Sequence, residues 1–203
     1  MPRSFRHWTP RYLKNRVIQL SYEKTHPNNP WLTRQSVNIL SDLLQDTDRG
    51  IEFGSGRSTL WFSNRIEHLI SIEHNLEWYN YIKRRIIDLD LEHKVDYRYC
   101  ETMSDYVSQI DTVEDCSIDF CLIDGKERDT CAMKALAKLK PEGILIIDNV
   151  NLYLPNDSKS PNSIREFDSN NPSSWQLVLE QIDSWEKIWT TNGVSDTGVW
   201  IKT

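Results

Sequence analysis

Gly50-Ile51-Glu52-Phe53-Gly54-Ser55-Gly56-Arg57-Ser58-Thr59 decides the fold. A short apolar run enters the glycines and a helix-compatible segment, residues 58–66, leaves them. Two glycines flanking one serine let the backbone turn sharply and approach a ligand, because neither carries a Cβ. The free amides of the first helical turn then point at that ligand. Downstream, His68-Leu69-Ile70-Ser71-Ile72-Glu73 reads as a strand closing on a carboxylate, at the distance where an acid can accept from both hydroxyls of a ribose. A dinucleotide fingerprint has a third glycine. Thr59 stands at that position, which weighs against pyrophosphate binding without excluding it.

Outward from this centre the periodicity alternates. Strands are expected over residues 51–53, 69–73, 95–99, 118–123 and 144–147, with helices over 33–44, 58–65, 76–89, 105–110 and 130–139 between them. Thr33 is the expected N-cap of the first of these helices, and Lys140-Pro141-Glu142-Gly143 the expected stop of the last. The nearly unbroken apolar runs 120–123 and 144–147 suit central strands buried on both faces. Residues 153–172, rich in Asn, Ser, Asp and Pro, read as a long loop, and a last helix covers 174–182. Two further strands, 185–191 and 199–202, meet at Asn192-Gly193. The whole is an α/β chain: a Rossmann-like three-layer αβα sandwich whose mostly parallel seven-stranded sheet ends in a C-terminal antiparallel hairpin.

The 203 residues suit one domain, preceded by a basic amphipathic helix over 12–22 and a break at His26-Pro27-Asn28-Asn29-Pro30. The expected division is an N-terminal helical extension, 1–30, and a single domain, 31–203. Basic residues cluster from Arg3 to Arg16 and on to Lys24, a pattern that fits a solvated helix face before it fits a phosphate-binding one. The net charge of −6 argues against a nucleic-acid partner. No apolar run approaches a membrane span, and no signal peptide opens the chain. The four cysteines lack C-x-x-C spacing and three sit in apolar surroundings, so free thiols and a cytoplasmic location are expected.

The form Glu-Phe-Gly-Ser-Gly-Arg-Ser-Thr resembles the first motif of class I S-adenosylmethionine-dependent methyltransferases, in which an acid stands two residues before the first glycine, as Glu52 does. The resemblance covers about residues 31–203, hairpin included. It implies S-adenosylmethionine as cofactor, with Glu52, Gly54, Ser55, Gly56, Ser58, Thr59, Glu73, His74 and Asp124 around it. It also implies a methyl transfer to oxygen or nitrogen of a small-molecule acceptor. Ligands of open parallel sheets bind beyond the carboxyl ends of the strands. The expected strand ends carry Gly54 to Gly56, Glu73 and His74, Cys100 to Thr102, Asp124 to Arg128, and Asp148 with Asn149.

Asp124, Asp148 and Asn149 are similar in spacing to the magnesium ligands of catechol- and caffeoyl-CoA-type O-methyltransferases, and three oxygen donors suit a hard cation. The alternative at each position stays open. Asp124 can serve a helix N-terminus, and Asp148 with Asn149 can shape a turn and touch substrate. Asp124, Lys126, Asp148 and Asn149 are the candidate catalytic residues, with His74 as a further candidate base. Two other readings share the glycine turn and the acid: an NAD(P)-dependent Rossmann oxidoreductase and a non-catalytic S-adenosylmethionine-binding module.

Overall fold

The computed structural model describes residues 9–168 and 173–203. Residues 3–8 of the expected basic cluster and 169–172 of the expected loop lie outside the described residues. Five strands, β1 (Arg49–Phe53), β2 (His68–Glu73), β3 (Val95–Tyr99), β4 (Ile118–Ile123) and β5 (Leu139–Asp148), pair in parallel. The hairpin of β6 (Glu186–Thr191) and β7 (Asp196–Ile201) adds its second strand antiparallel to β5. The sheet order is β3-β2-β1-β4-β5-β7-β6, so the strand order reverses between β1 and β4. The helices are α1 (Pro10–Thr25), α2 (Arg34–Leu43), α3 (Arg57–Ser63), α4 (Leu76–Asp88), α5 (Met103–Ser108), α6 (Arg128–Lys138) and α7 (Ser174–Ile182).

Strand alternation builds the two outer layers. Phe120 and Leu122 of β4 face a core with Val37 and Leu40 of α2 and with Trp61 and Phe62 of α3. Their neighbours Cys121 and Ile123 face the opposite core, with Ala132 and Ala135 of α6 and Val178 of α7. A third cluster seats α4 by Ile82 and Ile86 against Leu91 and Val95. Side-chain caps begin several of the helices. Thr33 accepts from Ser36 N–H, Asn75 from Trp78 N–H, Thr102 from Asp105 N–H and Ser173 from Trp175 N–H.

Several expected boundaries move: the helix expected over 12–22 spans Pro10–Thr25 and the strand expected over 199–202 spans Asp196–Ile201. Residues 105–110 divide into α5, which starts at Met103 on its Thr102 cap, and a 3-10 turn, Gln109–Thr112. The 130–139 helix instead starts at Arg128. Lys140-Pro141-Glu142-Gly143 is not a turn but an irregular stretch of β5, across which the register with β4 shifts. Lys202 holds it there: Glu142 N–H donates to Lys202 O at 2.8 Å and Lys202 N–H to Gly143 O at 2.9 Å. The described part of the long loop contains no helix or strand beyond the 3-10 turn Val150–Leu152, yet it is pinned to the hairpin. Asn151 Oδ1 accepts from Asp196 N–H, and Ser160 Oγ donates to Asp196 Oδ1 at 2.5 Å. Helix α1 buries none of its residues and touches the body through Arg57 Nη1, which donates to Glu23 O, and Asn192 Nδ2, which donates to Gln19 Oε1. No described helix is long and apolar enough to cross a membrane.

Candidate functional site

The reversal of strand order between β1 and β4 opens a crevice beyond the strand ends, a cavity of about 660 Å³. Of the residues singled out from the sequence, it gathers Gly54, Ser55, Glu73, His74, Asp124 and Lys126 on its wall. Glu52, Gly56, Ser58, Thr59, Asp148 and Asn149 stand behind that wall.

The loop after β1 comes close to the loop after β4. Gly54 has φ +95°, and a Cβ there would lie 2.8 Å from the backbone N and Cα of Gly125. Only glycine satisfies both demands. Gly56 is extended, and a Cβ there would meet nothing nearer than Trp78 at 3.9 Å, so the protein itself does not require glycine at that position. Thr59, where a dinucleotide fingerprint has its third glycine, uses its hydroxyl twice. It accepts from Gly56 N–H at 2.9 Å and donates to Glu52 Oε1, which also accepts from Ser71 Oγ at 2.6 Å. Glu52 is fully buried, and its Oε2 has no partner. Burial pushes its carboxyl up to about 7 despite the Ser71 and Thr59 bonds.

Glu73 has both oxygens engaged. Oε1 accepts from the backbone N–H of His74 and of Asn75, each at 2.8 Å, and Oε2 accepts from Ser55 N–H at 3.2 Å and Ser55 Oγ at 2.9 Å. His74 Nδ1 stands 3.1 Å from Oε1 as well. A carboxylate only accepts, so the single Ser55 hydroxyl proton goes to Glu73, and Tyr97 OH, 2.7 Å away, donates to Ser55 Oγ. Burial drives the Tyr97 phenol far up, which keeps that proton in place. A ribose hydroxyl reaches Glu73 only by taking the place of the Ser55 hydroxyl.

The expected metal triad is organised around a side chain instead. Arg128 Nη2 donates to Asp124 Oδ1 at 3.0 Å and Asp124 O at 2.6 Å. Its Nη1 donates to Asp148 O at 2.5 Å and reaches Asn149 Oδ1 at 3.5 Å, and its Nε donates to Gly125 O at 2.9 Å. Asp148 turns its Oδ1 away to accept from Thr197 Oγ1 at 2.8 Å, and that hydroxyl in turn accepts from Thr33 N–H at the start of α2. A guanidinium thus fills the position a divalent ion needs, and one of the three donors faces elsewhere. Among the described residues no group of three or more His, Cys, Asp or Glu is placed to hold a metal. Magnesium does not fit this donor set. Burial raises Asp124 to about 6 and Asp148 to about 8, the latter further lifted by Asp124 nearby, and Arg128 opposes both shifts.

Sequence reasoning placed Arg128 at a strand end and assigned it nothing. Ser71 and Tyr97 carry no role in that reading either, and Trp78, a tryptophan that suits packing or a pocket wall, donates its indole N–H to Ser55 O at 2.7 Å. For Trp78 a signal existed, since it falls on the strand-end turn of α4. For Ser71, a polar residue inside an apolar strand was the only hint.

No family model and no curated protein sequence matches the chain. Solved structures do. An O-methyltransferase from Bacillus cereus in complex with SAH aligns with TM-score 0.64 and 19% identity over 96% of this chain and 92% of that one. A methyltransferase from Geobacter sulfurreducens gives TM-score 0.58 at 14% identity, covering 93% and 89%. An rRNA methylase from Streptococcus thermophilus gives 0.54 at 12% identity, covering 83% and 94%.

Proposed function

The chain has the class I S-adenosylmethionine-dependent methyltransferase fold, and from that premise we propose that it binds S-adenosylmethionine and transfers the methyl group to oxygen or nitrogen of a small-molecule acceptor. The observation that carries this reading is the crevice itself. A bare backbone at Gly54 and a buried acid at Glu73 converge at the switch point of a fold that in Bacillus cereus is an O-methyltransferase in complex with SAH. Within this reading residues 31–203 are the methyltransferase domain and 1–30 an N-terminal extension. Free cysteines, three of them buried, support a reducing, cytoplasmic setting.

When bound, the cofactor supplies a methyl group already activated on sulfur. The chain's own residues then have to bind, orient and move one proton. Ser55 turns its hydroxyl proton from Glu73 into the crevice while its Oγ still accepts from Tyr97 OH, freeing one lone pair of Oε2 for a ribose hydroxyl. Glu52, Gly56, Ser58 and Thr59 keep the loop in shape from behind, and His74 borders the same wall. Asp124, held near neutrality by burial and Arg128, is the candidate general base for the acceptor proton, because a base is most effective when its pKa lies near the working pH. Lys126 flanks it. Asp148 and Asn149 act through Arg128 and the turn they form. No metal-assisted step enters, since the residues do not fit one.

The test is transfer of labelled methyl from S-adenosylmethionine to a panel of phenolic, hydroxyl and amine acceptors, with ribosomal RNA as a separate arm. Label on a small acceptor, lost in Asp124→Asn, supports the reading. Label on RNA alone refutes the acceptor class, and tight binding of S-adenosylmethionine with transfer to no acceptor supports a non-catalytic module instead.

A further inference from the structure

Beside the crevice lies a second cavity of about 690 Å³, between the 27–31 segment and the outer faces of α3 and α4. It shares Trp31 and Trp78 with the crevice, so the two are separated by one aromatic wall. Arg57, Arg65 and Arg85 line it, and no carboxylate does. That balance is unusual in a chain of net charge −6. Arg49, Arg98 and Arg128 each have an acidic partner, whereas among the described residues no ion pair involves the three arginines of the groove. Uncompensated guanidinium groups gathered in a concave site favour an anion, and their planar fork suits phosphate.

The aromatic side chains give the second half of the recognition. Trp31 is 50% and Tyr81 49% exposed, far more than their size warrants in a well-packed surface. Trp31 stacks on Trp78 with ring centroids 6.2 Å apart, and Trp78 lies 5.2 Å from Tyr81. Arg57 sits 5.2 Å from the Trp31 ring centre, which holds a cation at the edge of the aromatic platform. A flat ring laid on this platform places an attached phosphate among the arginines.

We propose that this groove is a binding site for a phosphate-bearing, flat-ringed ligand, chemically a nucleotide. The proposal goes beyond methyl transfer and does not depend on it. A free mononucleotide and a nucleotide within a single strand share this chemistry, and the volume suits one such unit.

The experiment titrates adenosine monophosphate, inorganic phosphate and a short oligoadenylate into the full chain, read by calorimetry and by tryptophan emission, with and without saturating S-adenosylhomocysteine. The nucleotide should bind, at least tenfold tighter than phosphate alone. Arg65→Ala, in the turn after α3, combined with Arg85→Ala, on α4, should weaken it at least tenfold, and Tyr81→Ala severalfold, while Arg49→Ala leaves it unchanged. Circular dichroism and melting verify that the variants fold. Tighter binding of the oligoadenylate than of the mononucleotide assigns the groove to a strand, and equal binding assigns it to a free ligand; either supports the nucleotide chemistry. The proposal is overturned if the nucleotide fails to bind at millimolar concentration, if phosphate binds equally well, if the arginine variants bind like the wild type, or if S-adenosylhomocysteine displaces the nucleotide, which would place it in the crevice.

Discussion

Replacing Arg128 with methionine removes the cation that joins the loops after β4 and β5 while keeping most of the side-chain volume. The guanidinium donates to Asp124 Oδ1 and to the carbonyls of Asp124, Gly125 and Asp148. Its side chain is 13% exposed, so little solvent replaces those bonds. Stranding a buried partner in this way costs about 3–5 kcal/mol. For a chain of this size that corresponds to a fall in melting temperature of about 6–20 °C. The cost also has a pH signature. Asp124 and Asp148 have folded values raised from 3.8 to about 6 and about 8. For raised acids, stability is fully present below the unfolded value and is lost as pH rises through the folded one. Without Arg128 the carboxyls rise further, so the deficit of R128M must grow between about pH 4 and pH 8. Thermal melts of both proteins at pH 5 and pH 8.5 measure it. A deficit equal at the two pH values, or smaller than about 2 °C at pH 8.5, refutes the role of Arg128 as the internal counter-ion.

Other outcomes follow from the same geometry. Gly54→Ala should cost at least about 1–3 kcal/mol, from its positive φ alone, whereas Gly56→Ala should melt within a few degrees of wild type, by differential scanning calorimetry. Glu52→Gln should lessen the pH dependence of stability: as pH rises from 4.5 through about 7 the variant should lose about 3 kcal/mol less than the wild type, the remaining loss belonging to Asp124 and Asp148, by urea unfolding at each pH. Turnover on any acceptor found should persist in excess chelator, and a loss restored by magnesium would contradict the assignment of Arg128 to the cation position. The acidic limb of the wild-type rate profile should fall near pH 6, where Asp124 protonates, and a rate flat through pH 6 would contradict its role as base.

Elements whose signal is local were legible in the sequence. The alternation of 95–99, the apolar run 118–123 and the last helix, 174–182, coincide with β3, β4 and α7. The glycine turn and Glu73 meet at the crevice because strand order, not side-chain detail, brings them there. Long-range pairing decided the rest. Lys140 to Gly143 carries turn residues, and only Lys202, near the other end of the chain, draws it into the sheet. The spacing of Asp124, Asp148 and Asn149 suggested magnesium, which the donor set does not fit because Arg128 holds Asp124 Oδ1 and Asp148 turns its carboxylate to Thr197. Which way Asp148 turns depends on Thr197, forty-nine positions away. Likewise, Glu73 at a strand end signals an acceptor, but its four hydrogen bonds come from a loop and a helix start whose geometry no spacing reveals.

Calorimetric titration of the wild-type chain with S-adenosylmethionine, S-adenosylhomocysteine and NAD, alongside Glu73→Ala, tests the central claim most directly. The account predicts one site for each of the two sulfur nucleosides, no displacement of either by NAD, and affinity about ten- to hundredfold weaker in the variant, as expected for loss of a charge-assisted hydrogen bond. Binding of NAD in place of the sulfur nucleosides, or unchanged affinity in Glu73→Ala, would contradict it.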